Sequence, residues 1–499
     1  MYDVVIIGGG VIGAFVARNI AKYELRTIVL EKEADVCCGA TRANSAIVHS
    51  GYSGKPGSLK SKLTVDANAD FAHVCQELDV EYKQIGSLMM AVDERGMEKV
   101  YEKYQRGLKN QVPGLQILNK EEALALEPHL NPKVTIAMYA PTTGIVNPWE
   151  FGIAAMENAM DNGVELQCNT KVQGIHKVED GTYEIQTNQG RFKTKYLFNC
   201  GGLYADEIHN LIGEPAFRIA PRKGEYILLD KQEANHKVVN HVIFQARDND
   251  DAKGVIIVPT VHDNVLVGPT AVDVAWKGET SVSVEALSYI KKVSTKSIVD
   301  LPFSKQIRSF AGVRPRPQLL TGVDPETGEV QYGEDKVKDF IIGPIDTHPH
   351  IINCAGMKSP GLTCANEVGK YAVALLCKQL KEEEIQVTEN LSYTPKRRPL
   401  YRLAEKSVEE QQAYIQENSL LGNVVCRCNH ITEGEIRDVI HRNCGATTVD
   451  GVKRRAGTGM GRCQGGFCTI AITKILHQEL GIPYTEIEKD SKESYLLSE

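Results

Sequence analysis

The chain contains 499 residues, more than a single hydrophobic core usually organises, so we predict two or three domains. Its 42% apolar and 24% charged residues are ordinary for a globular protein, and its net charge of −7 argues against nucleic-acid binding. No apolar run is long enough for a transmembrane helix, and the start of the chain lacks the basic region of a signal peptide. Thirteen cysteines without an export signal predict a reducing compartment, so we expect a cytoplasmic protein.

The first thirty residues predict a strand, a tight turn, a helix and a second strand. Both strand predictions, Asp3–Ile7 and Thr27–Leu30, are short and rich in β-branched apolar residues, as buried parallel strands are. The helical pattern between them covers Val11–Tyr23. Together these elements predict a βαβ unit.

Three glycines, Gly8, Gly10 and Gly13, form the motif G-x-G-x-x-G between this strand and this helix. The first glycine permits the tight turn, the second lets the backbone approach a pyrophosphate, and the third allows the helix to pack closely against the strand. Glu31 ends the second strand, where a carboxylate can bind a ribose hydroxyl of adenosine. The motif therefore predicts a dinucleotide site, but it does not distinguish FAD from NAD.

Segments with the character of this first unit return later in the chain, at 195–202 and 340–356. We therefore predict a nucleotide-binding domain built from separate pieces, with a mixed α+β substrate domain inserted into it; two consecutive domains are the alternative. The predicted pieces of the nucleotide-binding domain are 1–75, 141–220 and 340–392, and those of the substrate domain are 76–140 and 221–339. The rest is predicted to be a linker or crossing segment at 393–422, a cysteine-bearing module at 423–484 and a frayed tail at 485–499.

Three runs carry a more specific signal: Gly39–Gly51, Asn199–Asp206 and Ala355–Thr363. They resemble flavin-contacting segments of the D-amino-acid-oxidase-type FAD family, and the resemblance covers about residues 1 to 390. It implies FAD as the cofactor and an α/β fold, in which a Rossmann-like FAD-binding domain is interleaved with the mixed α+β substrate domain. It also implies a helix that begins near Gly361 and points its N-terminus at the flavin. The residues expected to contact FAD are Gly8, Gly10, Gly13, Glu31, Thr41, Asn44, Ser45, Gly201, Gly356, Gly361, Leu362 and Thr363.

Four cysteines near the end of the chain are spaced as C-x-C, then 34 residues, then C-x-x-x-x-C. They are Cys426, Cys428, Cys463 and Cys468. Sets of four thiolates bind zinc or iron–sulfur clusters, and zinc ribbons usually pair their cysteines as C-x-x-C. The present spacing, with the glycines around Cys463, resembles the bacterioferritin-associated-ferredoxin-type [2Fe-2S] domain over about residues 424 to 480. This implies a small helical C-terminal iron–sulfur domain; zinc, or no metal, is the alternative.

Basic residues close to these cysteines in sequence are expected to offset the negative charge of a four-thiolate cluster. They are Arg427, Lys453, Arg454, Arg455 and Arg462. The glycines around Cys463 are expected to let backbone N–H groups point at sulfur, which raises a cluster's reduction potential. We interpret the remaining cysteine of this module, Cys444, as core packing.

The family resemblance has two branches, the anaerobic-type glycerol-3-phosphate dehydrogenase large subunit and the L-2-hydroxyglutarate oxidase. Ser309–Pro315 and the cysteine module resemble the first branch, whereas His49–Lys60 and Ser359–Thr363 resemble the second. We predict that Arg314 binds the anionic group of the substrate, because a planar guanidinium suits a phosphate or a carboxylate. A structural ion pair is the alternative role for this arginine.

His49 is the candidate to polarise or deprotonate the substrate hydroxyl, or else a hydrogen-bonded histidine that lines the flavin. Glycerol-3-phosphate enzymes tend to place an arginine shortly after the equivalent histidine, whereas this chain has Tyr52 and Lys55 there. Lys358 is predicted near the N1/O2 edge of the flavin, where a cation favours the reduced form. The cations that could replace the absent arginine are Lys358, Arg222 and Lys223.

These expectations combine into an FAD-dependent dehydrogenase that oxidises sn-glycerol 3-phosphate to dihydroxyacetone phosphate. Electrons would pass through FAD and the cluster to a protein partner, either a second flavoprotein or a quinone-linked subunit. Without a membrane span of its own, the chain would reach a membrane only through that partner. L-2-hydroxyglutarate is the second candidate substrate. An amino-acid-oxidising flavoprotein, with the cluster domain for docking or regulation, is the third reading.

Overall fold

A computed structural model describes residues 1–233, 235–246, 254–324, 327, 329–336 and 339–497. In this part of the chain the α-helices are α1 (Val11–Ile20), α2 (Leu59–Glu77), α3 (Glu94–Lys109), α4 (Lys120–Leu126), α5 (Pro148–Asp161), α6 (Ala205–His209), α7 (Val284–Ser294), α8 (Gly361–Glu382), α9 (Val408–Glu417), α10 (Glu433–His441), α11 (Val449–Ala456) and α12 (Cys468–Leu480). The β-strands are β1 (Tyr2–Ile7), β2 (Thr27–Leu30), β3 (Ile47–Val48), β4 (Tyr82–Gln84), β5 (Ser87–Ala91), β6 (Gln116–Asn119), β7 (Ile136–Ala140), β8 (Gly144–Val146), β9 (Glu165–Gln167), β10 (Val172–Lys177), β11 (Tyr183–Thr187), β12 (Gly190–Asn199), β13 (Phe217–Leu229), β14 (Val242–Gln245), β15 (Ile256–Pro259), β16 (Val265–Gly268), β17 (Val272–Asp273), β18 (Gln306–Val323), β19 (Val330–Lys336), β20 (Ile341–Ile345), β21 (His348–Ala355), β22 (Val424–Cys426) and β23 (Ile431–Thr432).

The first sheet contains the predicted βαβ unit. Its strands follow the order β10-β11-β12-β1-β2-β9, with β21 paired to β12 and β20 paired to β21. Strand β1 lies parallel to both β12 and β2, so the carboxyl ends of these strands meet at one edge. The helices α1, α5 and α8 share one apolar core with this sheet, in which the rings of Phe15 and Phe151 lie 4.7 Å apart. A site at this edge therefore rests on a rigid, buried support.

The second sheet supplies the opposite wall of the site. Its strands follow the order β19-β18-β13-β16-β15-β14-β5-β7-β6, with β17 paired to β13. The long strands β13 and β18 are antiparallel, and Arg222 stands opposite Arg314 in their register. Helix α7 packs against β13 and β16 through the buried Ile290. The predicted substrate domain at 221–339 includes residues 234, 247–253, 325, 326, 328, 337 and 338, which lie outside the described residues.

The C-terminal module is a small helical unit with its own core. Helices α10, α11 and α12 pack around the hairpin of β22 and β23, and Ile436, Val452 and Leu476 are completely buried. Helix α10 begins at a capping box, in which Thr432 accepts a hydrogen bond from the backbone of Glu435. The fold class predicted from the sequence, with its helical C-terminal domain, is confirmed.

The segment predicted as a linker is packed against the first domain. Arg397 is 3% exposed and donates two hydrogen bonds to Glu157 of α5, at 2.9 and 2.7 Å. Arg402 forms ion pairs with Asp79 at 2.7 Å and with Glu150 at 2.8 Å. The segment is thus a crossing strap held by buried charges rather than a loose tether.

Two sequence expectations need correction. Helix α1 ends at Ile20 rather than at Tyr23, because Tyr23 forms a β-bridge with Glu389 instead of continuing the helix. The tail predicted to fray is folded back as far as residue 497: Ile487 is completely buried, and Asp490 forms an ion pair with Arg454 at 2.6 Å. Residues 498 and 499 of that predicted tail lie outside the described residues.

Candidate active site and cluster site

A single large cleft joins the dinucleotide turn to the C-terminal module. Its cavity volume is about 1640 Å³, and its lining includes Gly8 at the end of β1, Arg314 on β18 and Cys428 of the cysteine module. The cleft therefore lies outside the carboxyl ends of parallel strands, where α/β sheets usually bind their ligands. A flavin and a cluster held by these residues would lie along one continuous space.

The dinucleotide turn leaves no room for side chains. Gly8 has a φ of +106°, and a Cβ on it would lie 2.5 Å from the carbonyl oxygen of Cys200. A Cβ on Gly13 would lie 1.9 Å from the carbonyl oxygen of Gly8. Helix α1 begins after Gly10 without a side-chain cap, and the amide of Val11 donates to Thr41 Oγ1 at 3.1 Å. This cradle fits the pyrophosphate of a dinucleotide, which would accept hydrogen bonds from the helix N-terminus.

Glu31 is held in place beside this turn. Its carboxylate accepts hydrogen bonds from the backbone amides of Gly9 at 2.6 Å and Glu33 at 2.9 Å. Burial raises the pKa of Glu31 above its ordinary value, although the two amides act in the opposite direction. The carboxylate lines the cleft, so it is placed to accept a hydrogen bond from a ribose hydroxyl.

The loop after the short helical turn Ala40–Arg42 is shaped by its own side chains. Asn44 donates from Nδ2 to the carbonyl of Thr41 at 2.8 Å, and its Oδ1 accepts from the amide of Ala46, which has a φ of +57°. The hydroxyl of Ser45 lies 3.2 Å from that of Tyr226. These contacts hold the loop open along the cleft.

A second set of hydrogen bonds fixes the start of α8 against His49. The amide of His49 donates to Thr363 Oγ1 at 3.0 Å, and this hydroxyl donates to the carbonyl of Ile47 at 3.3 Å. The ring Nε2 of His49 lies 3.0 Å from Ser359 Oγ. Helix α8 begins at Gly361 without a side-chain cap, and Gly361 lines the cleft. The N-terminus of α8 and the imidazole of His49 thus face the same space.

Two groups of cations stand near this end of the cleft. Arg314 donates from Nη2 to the carbonyl of Thr270 at 2.9 Å, and its guanidinium lies directly over Gly224. Burial and, after it, the positive charge of Lys358 lower the pKa of the Lys60 amine to about 8. Since like charges at close range are unfavourable, the region around Lys358 favours an incoming anion.

Most residues predicted for the flavin site do line the cleft, together with the three predicted catalytic residues. The lining residues among them are Gly8, Gly10, Glu31, Thr41, Asn44, Ser45, His49, Gly201, Arg314, Lys358, Gly361 and Leu362. Gly13, Gly356 and Thr363 lie behind the lining: a Cβ on Gly356 would meet Pro317 at 2.7 Å, and Thr363 is 1% exposed. Arg222 and Lys223 are engaged elsewhere, with Asp273 at 3.4 Å and with the carbonyl of Ser281 at 3.0 Å.

The four cysteines of the C-terminal module stand as two pairs. Cys428 and Cys463 have their sulfurs 3.5 Å apart, and Cys426 is hydrogen-bonded to Cys468. Among the described residues, no group of three or more His, Cys, Asp and Glu side chains converges as the ligands of one metal ion would. Two pairs of thiolates suit a cluster of two irons, each of which takes two protein sulfurs, better than they suit one tetrahedral zinc.

Backbone amides surround these sulfurs, as the glycine-rich sequence predicts. A hydrogen bond with the Cys468 thiol, and then the amides of Gly459, Asn429 and Cys428, lower the pKa of Cys426 to about 5 against the effect of burial. For Cys463, burial raises the pKa, but Cys428 and the amides of Gly465, Gly466 and Phe467 bring it below its ordinary value. A Cβ on Gly461 would lie 2.3 Å from Cys428 Cβ, so the loop closes tightly over the pairs. The thiolate form is thus favoured at one cysteine of each pair, Cys426 and Cys463, whereas the pKa values of Cys428 and Cys468 are raised, with a hydrogen bond to the partner thiol among the causes.

Two of the basic residues expected to offset the cluster charge face another partner. Arg455 donates to both carboxylate oxygens of Asp35, at 2.7 and 2.8 Å, and Arg454 donates to the same carboxylate at 2.9 Å. All three side chains are almost completely buried. Cys444 is buried in the core beside Arg455, as predicted. We refer to Asp35, Arg454 and Arg455 as the Asp35 clamp, which joins the C-terminal module to the first domain.

With this geometry established, comparison with known proteins decides the family. Residues 3–375 match the FAD dependent oxidoreductase family. The chain belongs to this family. Residues 424–478 of this FAD-dependent oxidoreductase match the BFD-like [2Fe-2S] binding domain. The predictions of FAD and of a [2Fe-2S] cluster are therefore confirmed.

Three relatives of this FAD-dependent oxidoreductase are informative. It is 43% identical over 498 residues to glycerol 3-phosphate dehydrogenase of Caloramator mitchellensis, covering 100% of the chain and 98% of the relative. It is similar to the dithionite-reduced L-alpha-glycerophosphate oxidase of Mycoplasma pneumoniae with FAD bound, with a TM-score of 0.70, 30% identity and coverage of 79% and 98%. It is 33% identical over 292 residues to human mitochondrial L-2-hydroxyglutarate dehydrogenase, covering 56% of the chain and 62% of the relative.

Several residues of the site were not singled out from the sequence. A Cβ on Gly312 would lie 2.1 Å from the carbonyl of Ala43, so β18 touches the loop that follows the helical turn Ala40–Arg42. Gly312 and Ser359 lie within runs that resemble the family, but their roles depend on contacts with distant segments. Nothing in the local sequence indicates Asp35.

A membrane span is absent among the described helices, since none combines enough length with enough apolar character.

Proposed function

We propose that this FAD-dependent oxidoreductase oxidises sn-glycerol 3-phosphate to dihydroxyacetone phosphate and passes the electrons to a protein partner through its [2Fe-2S] cluster. The observation that carries the proposal is the full-length similarity to a glycerol 3-phosphate dehydrogenase, because it spans both the flavin domain and the cluster module. The partner is a second flavoprotein or a quinone-linked subunit, and any contact with a membrane is made through it.

The cations near His49 are proposed to bind the phosphate. Arg314 presents a planar guanidinium to the cleft, and its hydrogen bond to the Thr270 carbonyl keeps that guanidinium in place. Lys358 lines the same cleft, and its charge repels the Lys60 amine, whose pKa is lowered first by burial and then by this repulsion. A dianionic phosphate would relieve this repulsion, and its binding would fix the orientation of the attached carbinol.

His49 is proposed to accept the proton of the substrate hydroxyl. Oxidation removes that proton and, from the carbinol carbon, a hydrogen with its two electrons, so the products are a ketone, a proton and a reduced carrier. The hydroxyl of Ser359 can donate to the neutral imidazole or accept from the imidazolium, so it serves both states of His49. Thr363 holds the backbone of His49, which fixes where the ring stands.

The two cofactors supply the electron chemistry. Bound FAD supplies a two-electron acceptor, and a [2Fe-2S] cluster supplies a one-electron carrier. Gly8, Gly10, Glu31 and Thr41 would hold the FAD, and the four cysteines would hold the cluster. Because a [2Fe-2S] cluster passes electrons one at a time, as redox proteins accept them, the match to a cluster domain supports delivery to a protein.

L-2-hydroxyglutarate is the second candidate substrate. It is favoured by the segment after His49, where Tyr52 and Lys55 replace the arginine typical of glycerol-3-phosphate enzymes. Tyr52 is 3% exposed and Lys55 is exposed, so neither residue supplies a buried cation at that position. The similarity to human L-2-hydroxyglutarate dehydrogenase, however, covers 56% of the chain, whereas the similarity to glycerol 3-phosphate dehydrogenase of Caloramator mitchellensis covers all of it.

Flavin bleaching under anaerobic conditions distinguishes these substrates. We expect sn-glycerol 3-phosphate, but not L-2-hydroxyglutarate, to bleach the flavin band of the purified protein. The Arg314→Ala variant should need about 10- to 100-fold more substrate for half-maximal bleaching, because one charge-assisted contact is lost. Arg191→Ala, in an exposed surface pair, is the control and should match the wild type. Bleaching by L-2-hydroxyglutarate alone would replace the first substrate by the second, and bleaching by neither would refute both.

A further inference from the structure

The cluster site has a buried pair and an exposed pair of cysteines. Cys426 and Cys468 are buried in the core of the module, whereas Cys428 is exposed and Cys463 is partly exposed. Cys428 also lines the cleft that holds the dinucleotide turn. The Cys428–Cys463 edge therefore reaches both the cleft and the outer surface, so an electron that arrives from the cleft can leave at this edge.

Two large apolar side chains stand in water beside this edge. Phe467 is 76% exposed and Ile470 is 80% exposed, although most apolar side chains of this size are buried. The amide of Phe467 donates to the sulfur of Cys463, which places this residue next to the exposed pair. Ile470 lies one turn further along α12 on the same side, since residues three apart share a helix face.

Basic groups surround these two apolar side chains. Arg427 lies between two of the cysteines, and Lys474 follows Ile470 by one turn on α12; both are exposed, and neither makes an ion pair with any described residue. Arg462, with an 81% exposed side chain, uses only Nε to bind Asp230 at 2.8 Å. Carboxylates are present too: Glu433, near Lys474, and Glu479 are both bound to Arg437. Apart from the cluster itself, the balance of the unpaired side-chain charge around these two residues is positive, although the chain as a whole carries −7.

We propose that Phe467, Ile470, Arg427 and Lys474 form the docking face for the electron acceptor, a protein whose own redox centre is rimmed by Asp and Glu carboxylates. The inference rests on the proposed function, because it takes the cluster as the exit for electrons. An apolar centre with a charged rim of one sign is typical of transient redox contacts, in which charge steers the encounter and the small apolar patch sets the register. A second copy of this chain would bring a rim of the same sign, so self-association at this face is disfavoured.

Electron transfer to two haem proteins of opposite charge tests the docking face. Cytochrome b5 has a haem edge rimmed by carboxylates, and cytochrome c has one rimmed by lysines. The holoenzyme is reduced with a stoichiometric amount of dithionite and mixed with each cytochrome in a stopped-flow instrument, so the result does not depend on the substrate. We expect faster reduction of cytochrome b5 at low salt, with a rate that falls by about tenfold as the salt concentration rises, whereas the rate with cytochrome c should not fall.

Variants of α12 then locate the contact. Ile470→Ser and Lys474→Glu should each lower the low-salt rate with cytochrome b5 by about three- to tenfold. Leu391→Ser, at a residue 94% exposed in another part of the chain, and Lys378→Ala on α8 are the matched controls and should leave it unchanged. The flavin content and the electron paramagnetic resonance signal of the reduced cluster should be those of the wild type in every variant.

Other outcomes have distinct meanings. Wild-type rates in both α12 variants, with an intact cluster signal, would overturn the docking face. Binding to anionic phosphatidylglycerol vesicles that Ile470→Ser abolishes, with unchanged cytochrome b5 rates, would assign the face to a membrane, and a dimer that Ile470→Ser dissociates would assign it to a second copy; either result overturns the proposal. Transfer by Cys463→Ser at the wild-type rate would instead refute the cluster as the exit, which is a failure of the proposed function.

Discussion

The dinucleotide turn and the attachment of the C-terminal module are built on different physical principles. At the turn, specificity is steric: a Cβ on Gly8 or Gly13 would overlap backbone atoms that have nowhere to move. At the attachment, specificity is electrostatic: the Asp35 clamp and the pairs around Glu157 bury charges against one another. At a flavin site the backbone must come close to the pyrophosphate, which requires glycine. At the attachment of the module, buried ion pairs can fix one orientation, because a buried charge is stable only beside its partner.

The largest effect is expected at the dinucleotide turn, where the constraint is steric. Gly13→Ala should abolish FAD binding, because its Cβ would stand 1.9 Å from the carbonyl oxygen of Gly8. The measurement is the ratio of flavin to protein after purification, with the cluster signal as evidence that the C-terminal module is folded. Gly343→Ala is the control, since a Cβ there meets nothing within 4 Å, and it should retain full flavin content. Full flavin in Gly13→Ala would show that the turn can relax.

At the cluster site, removal of one cysteine ligand should affect the cluster and leave the flavin site intact. Cys463→Ser should lose the paramagnetic signal of the reduced cluster and transfer to cytochrome b5, because the thiolate is replaced by a much weaker ligand. Flavin content and anaerobic bleaching by substrate should persist, since the flavin site does not include Cys463. Cys377→Ser on α8 serves as the control and should keep the signal. Loss of flavin in Cys463→Ser would mean that the two sites are structurally dependent.

Asp35 and Asp180 have similarly lowered pKa values but differ in burial, so variants of these two residues separate the two effects. Neighbouring cations lower the pKa of both Asp35 and Asp180 to about 2, for Asp35 against the effect of its burial. Asp35→Asn should destabilise the protein by about 3 kcal/mol or more, because it leaves Arg455 buried without a counter-charge and Arg454 with Asp490 alone. Asp180→Asn should leave the melting temperature unchanged, since Asp180 and its partner Lys193 are exposed.

The pH dependence of this stabilisation has a definite sign. Because the folded-state pKa of Asp35 lies below its ordinary value of 3.8, its contribution is fully present above about pH 4 and is lost as the pH falls towards about 2. Denaturation by urea at pH 7 and at pH 3 measures it. Equal losses of stability in Asp35→Asn and Asp180→Asn would contradict the assignment of the clamp.

The comparison also explains what could be predicted from the sequence. The turn, Glu31 and the four cysteines were found because short spacings report their geometry directly: the residues that act together are close in the chain. The second strand was predicted with its observed bounds, Thr27–Leu30, for the same reason. The FAD-contacting runs and the cluster domain were found through family resemblance, which short spacings alone did not provide.

The residues that were missed act across long separations. Asp35 is bound by Arg454 and Arg455, more than 400 residues later, and no local pattern predicts that pairing. The same limit led to the wrong expectation for the tail, whose composition is that of an exposed segment although Ile487 packs into the module core. Ser359 lies within Ala355–Thr363, which resembles the family, but its contact with His49 bridges 310 residues. Charge pairs between distant segments depend on the completed fold.

The ion pair between Arg42 and Asp490 has a consequence for the order in which the protein is assembled. Both residues line the cleft, yet Asp490 is translated 448 residues after Arg42. During synthesis the wall of the cleft beside the helical turn Ala40–Arg42 therefore cannot be completed until almost all of the described chain has emerged from the ribosome.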